Sequence, residues 1–95
     1  MTDETDLRRD AQRAERARAL LNDELLIEAF DTLNAQYMAA WLVTQTGDSV
    51  QREKLYFAAR TLPAVRKNLE TILMNGSIAA KQLANLEDDL KRSKR

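Results

Sequence analysis

Residues 23–73, DELLIEAFDTLNAQYMAAWLVTQTGDSVQREKLYFAARTLPAVRKNLETIL, decide the fold. In the first half Leu26, Phe30, Leu33, Tyr37, Trp41 and Thr44 recur at steps of four and three, with Leu25, Ala29, Met38 and Leu42 alongside. That spacing lays a wide apolar stripe along one side of an α-helix. In the second half Leu55, Ala58, Ala59, Leu62, Val65, Leu69, Ile72 and Leu73 form another. Between them stands Thr46-Gly47-Asp48-Ser49. Gly47 offers a permissive backbone to end the first helix, and Asp48 can cap the next with Gln51 as its capping-box partner. Two amphipathic helices joined by so short a loop fold back on each other, which predicts an all-α chain built on a long antiparallel helical hairpin.

Charge is sorted along the same stretch. Asp23, Glu24, Glu28, Asp31 and Asp48 are the charged residues of 22–48, which hold no Lys or Arg. Residues 49–81 carry Arg52, Lys54, Arg60, Arg66, Lys67 and Lys81 against Glu53 and Glu70. A hairpin centred on Gly47 sets facing residues whose numbers add up to about 94. Tyr37 then faces Phe57, Trp41 lies near Glu53 and Tyr56, Glu28 faces Arg66, and Asp31 lies near Arg60 or Lys67. An aromatic cluster of Tyr37, Trp41, Tyr56 and Phe57 is expected at the loop end. Exposed ion pairs are worth only about 0.2–1 kcal/mol each, so this sorting selects register and orientation more than it stabilises.

Upstream, Leu7, Ala11, Ala14, Ala17 and Leu21 make a thin apolar stripe in a charged, alanine-rich helix with Glu4–Arg8 and Asp10–Arg13 pairs. With no Gly or Pro between them, this helix and the first hairpin helix are expected to run on unbroken from residue 6, in preference to a new helix capped by Asn22. Pro63 lies inside the second stripe, where a proline costs roughly 3 kcal/mol, and a kink near Ala59–Arg60 is expected in preference to a fresh start capped by Thr61. Asn75-Gly76 then ends the helix and Ser77 caps a short third one, along which Ala79, Leu83, Leu86 and Leu90 form a coiled-coil-like seam. The division read from the sequence is a charged helical arm over 1–21, a hairpin core over 22–76, and a C-terminal helix with a basic tail over 77–95.

Composition excludes several classes of function. Fifteen basic and fifteen acidic residues give no net charge, unlike a dedicated nucleic-acid binder. There is no cysteine for disulfides or thiolate chemistry, and no histidine to serve as a general base. No apolar run reaches the ~18 residues of a membrane span, and the acidic N-terminus lacks the pattern of a signal peptide. An enzyme is not expected, nor a cofactor or a membrane association. Glu24, Glu28 and Asp31 line up at helical spacing, but carboxylate metal sites in bundles recruit histidine, so a solvated or salt-bridged face is expected and no metal.

Two groups of residues are candidates for binding. Arg8, Arg9, Arg13 and Arg16 on the arm, and Lys91, Arg92, Lys94 and Arg95 in the tail, are the candidate phosphate contacts to nucleic acid. Leu7, Leu21, Leu83, Leu86 and Leu90 are the candidate oligomer interface, because a lone amphipathic helix of such length is marginal in water.

The stretch LLNDELLIEAFDTLNAQYMAAW, followed by REKLYFAARTLPAVRKNLETILMNGSIAAKQL, resembles a type of small protein encoded in tailed-phage and prophage genomes. The shared features are the Leu-Leu start, the aromatic helix running to Trp41, a Thr before the loop, Arg52-Glu53 with Leu55, and Gly76 followed by Ala80. They cover roughly residues 20–86. In outline the chain is similar to small terminase subunits, although it shows no helix-turn-helix ahead of the hairpin. The resemblance implies a homo-oligomer in virion assembly or DNA packaging, located in the host cytoplasm or the virion, with other phage assembly proteins or DNA as partners. The alternative expectation is a small inhibitor or regulator that binds a host protein through the acidic face of 23–31, and a further one is a DNA-binding regulator.

Overall fold

The computed structural model describes residues 3–93 and is all-α among them. Helix α1 spans Glu4–Leu21, α2 Glu24–Leu42 and α3 Ser49–Ser93. The chain divides into two compact units, one of residues 3–20 with 69–93 and the other of 21–68.

In the first unit α1 packs against the C-terminal part of α3. Leu7, Ala14 and Ala17 are buried on α1, and Gly76 and Ala79 on α3. The stripe expected on the arm is therefore the face that α1 turns inward. A Cβ built on Gly76 would overlap the Asp10 carbonyl oxygen and the Ala14 side chain, and would sit 3.2 Å from the Ala14 Cα. Two helices approach this closely only where one of them has no side chain. Leu20 and Ala17 share a pocket with Leu69 and Ile72, while Asp10 and Arg13 share one with Ile72 and Asn75. Rising numbers on α1 meet falling numbers on α3, so the pair is antiparallel.

In the second unit α2 pairs with the N-terminal part of α3. The less exposed side of α2 carries Leu26, Phe30, Tyr37 and Trp41, and that of α3 carries Arg52, Leu55, Ala58, Ala59 and Leu62. Apart from Arg52 these belong to the two stripes read from the sequence, of which Leu33 and Val65 are exposed instead. The Arg52 guanidinium carbon lies 4.5 Å from the centre of the Trp41 ring. Their numbers add up to 93, within one of the expected hairpin register.

Local chemistry sets the helix ends. The Asp23 carboxylate accepts from the Leu26 N–H at 2.9 Å and caps α2, which spares one of the four N–H groups that open a helix. At the other end the Thr44 hydroxyl and N–H both donate to the Trp41 carbonyl, at 2.7 and 3.1 Å. Asp48 caps α3 by accepting from the Gln51 N–H at 3.1 Å, as the sequence indicated.

Three expectations are corrected. The first two helices are not continuous: α1 ends at Leu21 and the Asp23 cap starts a new helix, because an N-cap can break a helix with neither Gly nor Pro present. Gly47 does not terminate α2 through a left-handed backbone, since no described residue has positive φ; Thr44 ends the helix a turn earlier. Gly76 does not end α3, and there is no separate short C-terminal helix; Gly76 is helical, and its missing side chain makes room for α1. Of the two outcomes weighed at Pro63, the fresh start capped by Thr61 does not occur, because α3 runs through it. The Thr61 hydroxyl instead donates back to the Phe57 carbonyl at 3.0 Å.

Proline at 63 has no N–H to offer the Ala59 carbonyl. The Pro63→Ala variant is expected to be more stable by about 1–3 kcal/mol, read as a higher urea midpoint. A lower midpoint would show that the ring's packing outweighs the hydrogen bond.

Candidate interaction surface

Every buried residue among those described belongs to the first unit. The second unit has none, although it holds all the aromatic side chains. Its large apolar side chains stand well out: Leu25 is 74% exposed, Leu42 75%, Val43 81% and Phe57 59%. At ~25 cal/mol per Å² of apolar surface removed from water, a hairpin that leaves these groups wet forgoes much of the stabilisation its sequence offers.

A groove runs between α2 and α3 in this unit. At the loop end it holds about 180 Å³ and is lined by Tyr37, Met38 and Trp41 from one helix and Leu55 and Tyr56 from the other. Asn34 borders this pocket and also the next along the hairpin, which is lined by Phe30, Asp31, Leu62, Pro63 and Arg66. The floor is apolar because the facing stripes provide it. The α3 side is rimmed by cations held on aromatic rings. Arg52 sits on Trp41, and Arg60 lies 5.6 Å from the Tyr56 ring centre while donating to the Tyr56 hydroxyl at 3.0 Å. The Tyr56 and Phe57 rings meet edge to face with centres 5.7 Å apart. The Arg52 Nε is buried and has no hydrogen-bond partner.

Three of the four clustered aromatics line the groove, while Phe57 is exposed beside Tyr56. Sequence reasoning placed Glu53 and Tyr56 near Trp41 and missed Arg52. The signal was available, since Arg52 falls in the same register and cations favour aromatic faces. Asp31 and Arg66 border one pocket, whereas the expected pairings were Glu28 with Arg66 and Asp31 with Arg60 or Lys67.

The residues proposed for nucleic-acid contact are dispersed. Arg8 pairs with Glu4 at 2.8 Å, and this hydrogen bond raises its guanidinium further above its ordinary value. Arg9 lies 3.3 Å from Asp6 and 3.9 Å from Asp10. Arg13 and Arg16 border the pocket between α1 and α3 in the first unit. Lys91 and Arg92 are exposed in the last turn of α3, where the helix dipole favours cations. Lys94 and Arg95 lie outside the described residues.

Of the residues proposed as an interface, Leu7 is 5% exposed within its own unit. Leu21 and Leu83 are half-buried, and Leu86 and Leu90 are 44% and 58% exposed. Among the described residues no three acidic side chains come together to hold a metal ion, and no helix is long and apolar enough to cross a membrane. No family model, curated protein or solved structure matches the chain.

Proposed function

We propose that this chain is a non-catalytic helical protein that works by assembling with copies of itself, in the setting of phage virion assembly or DNA packaging. One observation carries the self-assembly: residues 21–68 hold two apolar helical stripes, and none of their side chains is fully buried. A two-helix hairpin is a single layer, and a domain core is made by packing a second layer on the first. The phage setting, and with it a place in the host cytoplasm or the virion, rests on the sequence resemblance over roughly 20–86.

The chemistry of the groove suits adhesion. Its apolar floor, aromatic rings and ring-bound arginines provide contact area and charge, and the sequence has neither the histidine nor the cysteine of a nucleophile–base pair. DNA contact is the weaker part of the reading, because Arg8 and Arg9 are already engaged by acids on their own helix.

Light scattering over a range of protein concentrations tests it. The expected mass is that of two or more chains of 10.9 kDa each. A single chain at every concentration, captured one to one by a host protein, would favour the regulator reading and remove self-assembly.

A further inference from the structure

The groove has two unlike rims. Its α3 side belongs to a segment, 49–68, with five cations (Arg52, Lys54, Arg60, Arg66, Lys67) and one acid, Glu53. Its α2 side belongs to a helix with Glu24, Glu28 and Asp31 and no cation at all. Asp31 and Met38 line the groove from α2, and Ile27 lies one turn before Asp31. Ile27, Asn34 and Met38 follow at i, i+7 and i+11 and so share one side of the helix. Ile27 is 37% exposed and Met38 57%. Across the groove Tyr56 is 48% exposed and carries Arg60.

A surface with an acidic rim, an apolar floor and a basic rim is complementary to itself after a half-turn. Rotation of a second copy about a two-fold axis sets acidic α2 against basic α3 at both sides of the contact. Two copies meeting α2 to α2 would instead oppose six carboxylates, which electrostatics disfavours.

We infer that the groove-bearing faces of two hairpins pack on each other, α2 of one copy against the N-terminal part of α3 of the other. Ile27, Met38 and Tyr56 are covered, and Asp31 is set towards Arg60 of the second copy. The product is a four-helix arrangement, the architecture in which single-layer hairpins complete a core. This rests on the self-assembly proposed above and adds the face, the partner and the orientation.

Charge reversal in the full chain tests it. D31R and R60D are expected each to raise the dissociation constant of self-association about tenfold, since each puts like charges at both symmetry-related contacts. Mixing D31R with R60D is expected to restore wild-type association between unlike chains, read as the mixed mass by native mass spectrometry. Far-UV circular dichroism checks that each variant is helical, and M38D, which leaves the charge pair intact, is expected to weaken association without rescue by either partner. If the wild type assembles and none of the three variants changes its mass, the interface lies elsewhere and this inference fails while self-assembly stands. A wild type that stays a single chain removes both. If a single-stranded oligonucleotide quenches Trp41 emission with no change in protein stoichiometry, the groove is a nucleic-acid platform and the inference fails.

Discussion

Replacing Gly76 is expected to be among the most damaging changes this chain can undergo. In a free helix Gly→Ala is worth up to about 1 kcal/mol of added stability. At position 76 the sign reverses. The added methyl would fall on the Asp10 carbonyl and Ala14, both fixed by the backbone of α1, so neither can swing aside. Overpacking of that kind costs about 1–3 kcal/mol even when the structure relaxes, which outweighs the gain in propensity. Gly76→Ala is thus expected to be destabilising and Gly76→Val more so, with the melting temperature falling by about 4–8 °C for each kcal/mol lost. A Gly76→Ala variant that melts higher than wild type would mean that α1 does not lie on α3 at this point.

Loss of Leu7 is the second large effect expected. Among the described residues it is the one large apolar side chain that is buried, at 5% exposure; the others are alanines and Gly76. Leu7→Ala removes its transfer free energy and leaves a cavity, at a cost of about 2–5 kcal/mol. Leu25→Ala offers the contrast. At 74% exposed in one chain, Leu25 has little to lose locally, and the expected change is within about 0.5 kcal/mol. Chemical denaturation of the two variants side by side checks the pair, and equal losses would contradict the division between a packed unit and an open one.

Periodicity made the inward faces of all three helices legible. Leu7-Ala14-Ala17, Leu26-Phe30-Tyr37-Trp41 and Leu55-Leu62-Leu69 are the less exposed sides, because burial follows the helical repeat whatever the helices pack against. Punctuation was less legible. Asp23 breaks a run that has no Gly or Pro, since its carboxylate satisfies an N–H the new helix would otherwise leave open. Gly76 reads locally as a stop, yet it remains helical because its bare backbone is what α1 packs on. Tertiary packing overrode local propensity there, and a single sequence does not display which distant helix will arrive. Of the groove, the register and the Tyr37, Trp41 and Tyr56 cluster followed from the loop position. The role of Arg52 did not, because its place on the Trp41 ring depends on side-chain geometry finer than helical spacing. On α1 the Glu4–Arg8 pair was legible from its i, i+4 spacing, whereas the approach of Arg9 to Asp6 was not singled out.

Residues 21–68 are proposed above to be covered by a second copy. Amide hydrogen exchange of the wild-type protein, resolved along the chain at high and at low concentration, tests it most directly. Exchange in 24–42 and 49–68 is expected to slow as concentration rises, while the helices of 3–20 and 69–93 hold their protection throughout. Exchange in 24–42 and 49–68 that is the same at every concentration would contradict it.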